Sequence, residues 1–199
     1  MATVIAIFPT SIYSDSINRT LNEEELSFIK NIKYCKNEYN SVSENSYVLN
    51  SPEMMFLKMD LLKICNDYFK NVYCPEKDLY LDITQSWLNK TNKTEQHHRH
   101  HHYNSFASGV FYIETSETDS IKFDKPIASP FKFDTTEWNL FNSSSWSLPT
   151  PKNTVLLFPS MLEHSVVPKQ DDTERISLAF NCFFKGRLGT TNELTELIL

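Results

Sequence analysis

Three glycines in 199 residues leave the chain little hinge material. Long hydrophobic runs are missing as well: none approaches the roughly 18–20 apolar residues that cross a bilayer, which speaks against a membrane partner. Basic charge is also short, with 19 Lys and Arg against 25 Asp and Glu, a formal charge of −6 and a pI near 5.5. That balance argues against a nucleic-acid backbone as the main partner, because such proteins usually carry a basic face that releases counterions. The four cysteines, Cys35, Cys65, Cys74 and Cys182, include no C-x-x-C pair. In apolar or helical settings they read as reduced, buried thiols suited to a reducing cytoplasm. The opening "MATVIAIFPTSIY" has no basic flank ahead of its apolar run, and Pro9 comes too early for a signal-peptide core, so it reads as a first strand.

The length suits a single domain over 1–199, with an N-terminal strand and supporting helices in 1–78 and the core in 79–185. Residues 22–33, "NEEELSFIKNIK", open with Asn22 and carry Glu25 three positions on, the pattern of a capping box. A short helix is expected there. Residues 51–73 start on Ser51-Pro52, and Met54, Leu57, Leu61, Ile64, Tyr68 and Val72 recur along one helical face, a stripe suited to packing on a sheet. From residue 79 the pattern changes to short period-two segments: "LYLDITQSWLN", "SFASGVFYIE", "DSIKFDKP", "NTVLLFPS", "EHSVVP" and "RISLAFNCFF". Serial short strands predict a sandwich or barrel. Residues 125–151, rich in Pro, Ser, Thr and Asn and holding Trp138 and Trp146, read as an irregular insertion that packs against or covers a site.

Five of the six histidines lie in "HHRHHH", residues 97–102. A purification tag sits at a terminus or in a linker, whereas this run is mid-chain, broken by Arg99 and continuous with a strand-like segment. Residues two apart on a strand share a face, so His100 and His102 can address one ion while His97 and His101 point away. His98 shares the His100 face, which leaves the register open by two residues. The remaining histidine, His164, lies between "NTVLLFPS" and "SVVP", where it can complete a facial triad with open positions for a cosubstrate and oxygen. Eleven residues later, Arg175 and Ser177 share a strand face and suit a carboxylate, and Tyr112 could add a phenol. Read alone, Arg175 could equally pair with Glu174 or Asp172 at the surface.

These segments, "HHRHHHYNSFASGVFYIE" and "NTVLLFPSMLEHSVVPKQDDTERISLAFN", resemble the iron(II)- and 2-oxoglutarate-dependent oxygenases, in particular a small family from bacteria and their phages. The matching positions are His100, His102, Ser105, Ser108, Gly109, Tyr112, residues 156–160, His164, Pro168, Arg175, Ser177 and Asn181. The resemblance implies a mainly β fold with flanking helices, a double-stranded β-helix or jelly-roll, cupin-like barrel. It implies iron(II) on His100, His102 and His164, and 2-oxoglutarate held by Arg175, Ser177 and Tyr112. The implied reaction is hydroxylation of a small-molecule or peptidyl substrate with release of succinate and carbon dioxide, in the cytoplasm, or that of the host for a phage protein. One departure stands out: the superfamily's His-x-Asp or His-x-Glu is here His-x-His. Two alternatives follow, a three-histidine cupin-type oxygenase without 2-oxoglutarate and a non-catalytic jelly-roll module of a virus particle.

Overall fold

The computed structural model describes residues 3–75, 78–127 and 129–199. Its strands, in chain order, are β1 (Tyr13–Ser16), β2 (Tyr34–Lys36), β3 (Ser41–Ser43), β4 (Leu79–Thr91), β5 (His97–His100), β6 (Ala107–Glu114), β7 (Ser120–Asp124), β8 (Ser145–Pro149), β9 (Thr154–Pro159), β10 (His164–Val166), β11 (Arg175–Leu188) and β12 (Leu197–Ile198). Two helices, α1 (Glu23–Asn31) and α2 (Met55–Tyr73), precede the strand-rich region. The larger sheet runs β1-β9-β6-β11-β4-β3-β2, with β12 on the end of β11, and the smaller runs β5-β10-β7-β8. All strand pairs are antiparallel. The sheets face each other as a jelly-roll-like sandwich and do not hydrogen-bond into a closed barrel.

Period two along β11 sorts its side chains into two environments. Leu178, Phe180 and Cys182 face outward into a core shared with Leu57, Leu61, Ile64, Cys65, Tyr68 and Phe69 of α2. Gly109 on β6 belongs to that arrangement, because a Cβ there would lie 2.2 Å from the Phe180 ring. A second, smaller core fills the space between the sheets with Tyr112, Leu156 and Phe158 against Ile121, Phe123 and Leu162. The helix therefore backs the large sheet, on the side away from the inter-sheet space.

The capping box of α1 is present: Glu25 N–H donates to Asn22 Oδ1 and Asn22 N–H to Glu25 Oε2, both at 2.8 Å. The Glu25 carboxylate also receives two bonds from Arg19, at 2.6 and 2.7 Å, and Arg19 Nε reaches Asp60 of α2 at 2.7 Å. Burial disfavours the Glu25 charge, but the Arg19 and Asn22 donors outweigh it and hold the carboxyl below its ordinary pKa.

Several sequence expectations need correction. Residues 52–54 form a 3-10 turn ahead of α2; Ser51 stands at its N-cap and Pro52 opens it, but the Ser51 side chain makes no capping bond. Val72 is half-exposed, since the stripe drifts off the sheet near the helix end. The apolar start is no strand; β1 begins at Tyr13 and Val4, Ile5, Ile7 and Phe8 are exposed, while residues 1–2 lie outside the described region. Cys65 and Cys182 are buried with sulfurs 3.5 Å apart, whereas Cys35 and Cys74 are exposed; all four are free. The irregular insertion ends in a strand, β8, that pairs with β7, and none of its described residues lines the inter-sheet cavity. No described helix is long and apolar enough to cross a membrane.

Candidate metal centre

The cavity between the sheets, about 50 Å3, is where the histidines meet. His164 opens β10, buried, and is the direct antiparallel neighbour of His100 on β5. His102 lies just beyond the end of β5, its backbone N–H donating to Ser160 O at 2.9 Å. The ligating nitrogens of His100, His102 and His164 all fall within 4.8 Å of one another. His100 Nδ1 and His164 Nδ1 lie 2.8 and 2.9 Å from the carbonyls of His98 and Leu162. A carbonyl can only accept, so Nδ1 carries the proton in both and Nε2 keeps its lone pair for a metal.

Burial, followed by neighbouring imidazoles, lowers the pKa of His164 to about 3 and of His102 to about 4. His100 is lowered too, chiefly by burial. The three are thus neutral near pH 7, the state a metal requires. Three neutral imidazoles fit a divalent first-row ion such as iron(II), and by themselves would equally suit zinc, copper or nickel. The nearby acids do not join them: Asp124 and Glu163 both pair with Arg99 on the outer side.

His97 corrects the alternation argument. Along β10 the step from His164 to Val166 is two residues, but along β5 the partners His100 and His97 are three apart. This bulge rotates His97 onto the cavity side, where its ring stacks on His100 at 4.5 Å and burial lowers its pKa to about 3. His97, His98 and His100 form a second trio with nitrogens within 4.8 Å. His101 behaves as expected, turned away from the cavity and against Tyr103.

The serines and asparagine of the motif lie beneath the histidines. Ser160 Oγ lies 2.9 Å from Ser108 Oγ and 2.8 Å from Ser105 Oγ, and Ser108 donates to Asn181 Oδ1 at 2.9 Å. This buried network ties β6, β11 and the turn after β9, so it fixes the segments that carry His102 and His164.

On the large sheet, adjacent strands place side chains in rows: Thr91 beside Arg175, then Asn89, Ser177 and Tyr112, then Trp87, Ala179 and, by its place on β6, Val110. All of these line the cavity. Arg175 is buried and pairs with neither Glu174 nor Asp172. Its Nη1 donates to Asp119 Oδ1 and its Nη2 to Thr91 Oγ1, both at 3.2 Å. Asp119 Oδ2 in turn accepts from buried Lys169 at 3.1 Å, and Lys169 reaches Asp171 at 2.9 Å. Of the five guanidinium N–H groups, two are used in these bonds and the other three have no side-chain partner among the described residues. Asp119, Lys169, Thr91 and Asn89 were not singled out as site residues from the sequence, and His97 was assigned to the opposite face. Only the strand period could have pointed to Asn89 and Thr91, which alternate with Trp87.

Residues 85–181 match the protein family described as "Putative 2OG-Fe(II) oxygenase". No curated protein matches the chain in sequence. Among solved structures, HygX from Streptomyces hygroscopicus with nickel and 2-oxoglutarate bound is similar at TM-score 0.56 and 14% identity, over 87% of this chain and 82% of that one. HygX is also solved with hygromycin B. The non-heme alpha-ketoglutarate-dependent epimerase SnoN from nogalamycin biosynthesis is similar at TM-score 0.60 and 10% identity, over 92% and 84%. A Pseudomonas putida prolyl-4-hydroxylase is similar at TM-score 0.55 and 9% identity, over 86% and 92%. At these identities the structures establish a shared fold.

Proposed function

Residues 85–181 belong to the 2OG-Fe(II) oxygenase family, and on that premise we propose that the whole chain is one dioxygenase domain that hydroxylates a small-molecule or peptidyl substrate. The family makes the protein an oxidoreductase using iron(II) and 2-oxoglutarate. The observation that carries the site assignment is the convergence of three neutral imidazoles and a buried arginine on one cavity.

In this reading His100, His102 and His164 hold iron(II), while Arg175, with Ser177 and Tyr112, holds the distal carboxylate of 2-oxoglutarate. When bound, iron(II) would let dioxygen act as the oxidant, with one oxygen atom going to succinate as 2-oxoglutarate loses carbon dioxide and the other to the substrate's C–H bond. The chain's own part is orientation and exclusion of water. Arg175 offers a planar fork that Asp119 and Thr91 hold in place, and a charge-assisted bond from it gains strength in the buried cavity. Val110, Ile121 and Phe158 give the cavity an apolar side. The four free thiols accord with a reducing cytoplasm as its place of work.

The test is conversion of 2-oxoglutarate to succinate by purified protein supplied with iron(II) and ascorbate. Turnover that stops on chelation and is lost in His164→Ala is the expected result. One observation favours a second reading, a three-histidine oxygenase that does not use 2-oxoglutarate: the trio contains no carboxylate. Iron binding without succinate formation would select it.

A further inference from the structure

Two of the five clustered histidines, His97 and His98, are not ligands of the proposed iron site, yet with His100 they form the second trio, whose nitrogens lie within 4.8 Å of one another. His98 is exposed, His97, His100 and His102 are half-buried, and His164 is buried. The rings form an unbroken series from the surface inward. His98 lies 5.2 Å from His97 and 5.0 Å from His100, centre to centre, and His100 lies 5.0 Å from His102 and 4.3 Å from His164. The surface end is held in place: Tyr39 packs on the His98 ring at 4.6 Å, and the His98 carbonyl accepts from His100 Nδ1 at 2.8 Å. The one cation in the run, Arg99, is paired with Asp124 at 3.3 Å and with Glu163, so its charge is neutralised beside the trio.

His100 belongs to both trios, and that decides how they can be used. With Nδ1 donating to the His98 carbonyl, Nε2 holds its single free lone pair, and one lone pair binds one ion. The two trios therefore cannot be filled together. An ion that moves from one to the other can keep His100 while it trades His97 and His98 for His102 and His164, and it is never released to water on the way. Direct entry would instead strip the ion of its hydration inside a small cavity lined in part by Val110, Ile121 and Phe158, which is costly for a charge.

We propose that His97, His98 and His100 form an outer loading site that captures a divalent metal ion at the surface and passes it through His100 to the inner trio. The inference rests on the inner trio being the ion's resting place, but not on 2-oxoglutarate or turnover. In this role His98 speeds exchange in both directions and adds nothing to equilibrium affinity, because a stopping point on the path lowers the barrier and leaves the end state unchanged.

Nickel(II) alone is the probe. Its arrival is followed by stopped-flow quenching of Trp87, whose ring lies 5.6 Å from His102, in a background carrying Trp138→Phe and Trp146→Phe so that no other tryptophan contributes. His98→Phe keeps a ring on Tyr39 but has no lone pair, and loading should slow about tenfold, the lower end of what concentrating an ion near its site gives. Removal of nickel by a chelator, measured where the rate no longer depends on chelator concentration, should slow by the same factor, so that calorimetric affinity stays at the wild-type value. His98→Asp, which restores a ligand, should recover both rates. Loading of His98→Phe at the wild-type rate would overturn the relay. Faster removal would overturn it as well, since His98 would then be a ligand of the resting ion. Slow loading that His98→Asp does not recover would leave His98 a packing role only. A wild type in which nickel does not quench Trp87 would instead sink the inner metal centre, and the relay with it.

Discussion

The two faces of the large sheet are both buried, yet they are built on opposite rules. The outer face, under α2, is apolar: Leu178, Phe180 and Cys182 pack with Leu57, Leu61 and Tyr68, and any well-fitting hydrocarbon would serve there. The inner face places Arg175, Ser177 and Asn181 on the same strand, and each polar group depends on a particular partner, such as Asp119 for Arg175 and Ser108 for Asn181. Strand alternation thus separates stability from chemistry within one element. Substitutions outside should change melting, and substitutions inside should change binding.

The largest expected effect is on the outer face. Phe180→Ala should cost about 3–5 kcal/mol of stability, because its ring fills the space over Gly109 and the cavity left cannot fully collapse. Denaturant melts measure this, and metal affinity of the folded fraction should stay at the wild-type value. A stable variant with weakened metal binding would break the division between faces.

On the inner face, Arg175→Ala should cost about 2–5 kcal/mol in 2-oxoglutarate binding, roughly 30- to 5,000-fold, with metal affinity retained. Arg175→Lys keeps the charge but loses the planar fork and should recover only part of that affinity. Anaerobic titration of the iron(II) protein, following the visible band of the chelate, reports both. Unchanged affinity in Arg175→Ala would assign the anchor elsewhere on the wall.

The histidines sharpen the comparison further. Calorimetric metal titration should show His102→Ala and His164→Ala weakened by about 100-fold or more, judging from the 10- to 100-fold losses that even supporting residues give. His97→Ala should lose much less. The opposite order between His102 and His97 would move the ion to the trio of His97, His98 and His100.

The smallest effect lies away from both faces, at Glu25. Its folded pKa is depressed, so the charged form contributes stability above the unfolded pKa of about 4.3, and that contribution is lost as pH falls through the lower folded value. Glu25→Gln should therefore cost about 1–3 kcal/mol at pH 7 and progressively less in acid, read from melts across pH 2–7. A difference that stays constant over that range would mean that packing, and not charge, is what Glu25 contributes.

Much of this architecture is legible in the sequence, because period two, period 3.6 and the capping box are local patterns set by backbone geometry. Apart from β8, the strands from residue 79 onward and the α2 stripe follow from such patterns. The strands β2, β3 and β8 are not legible, since each lies among Ser and Asn residues that read as loop.

The sequence by itself determined that His-x-His, a distal histidine and Arg-x-Ser sit on strands, or at their ends, able to face one space. Only the tertiary structure decided which side chains reach it. A bulge, which strand periodicity cannot anticipate, turned His97 inward. Asp119 meets Arg175, and Asn89 lies beside Ser177, because sheet pairing brings together residues dozens of positions apart. Local patterns fix which way a side chain leaves its own strand, but its partner is set by the register between strands, and that is a property of the folded chain alone.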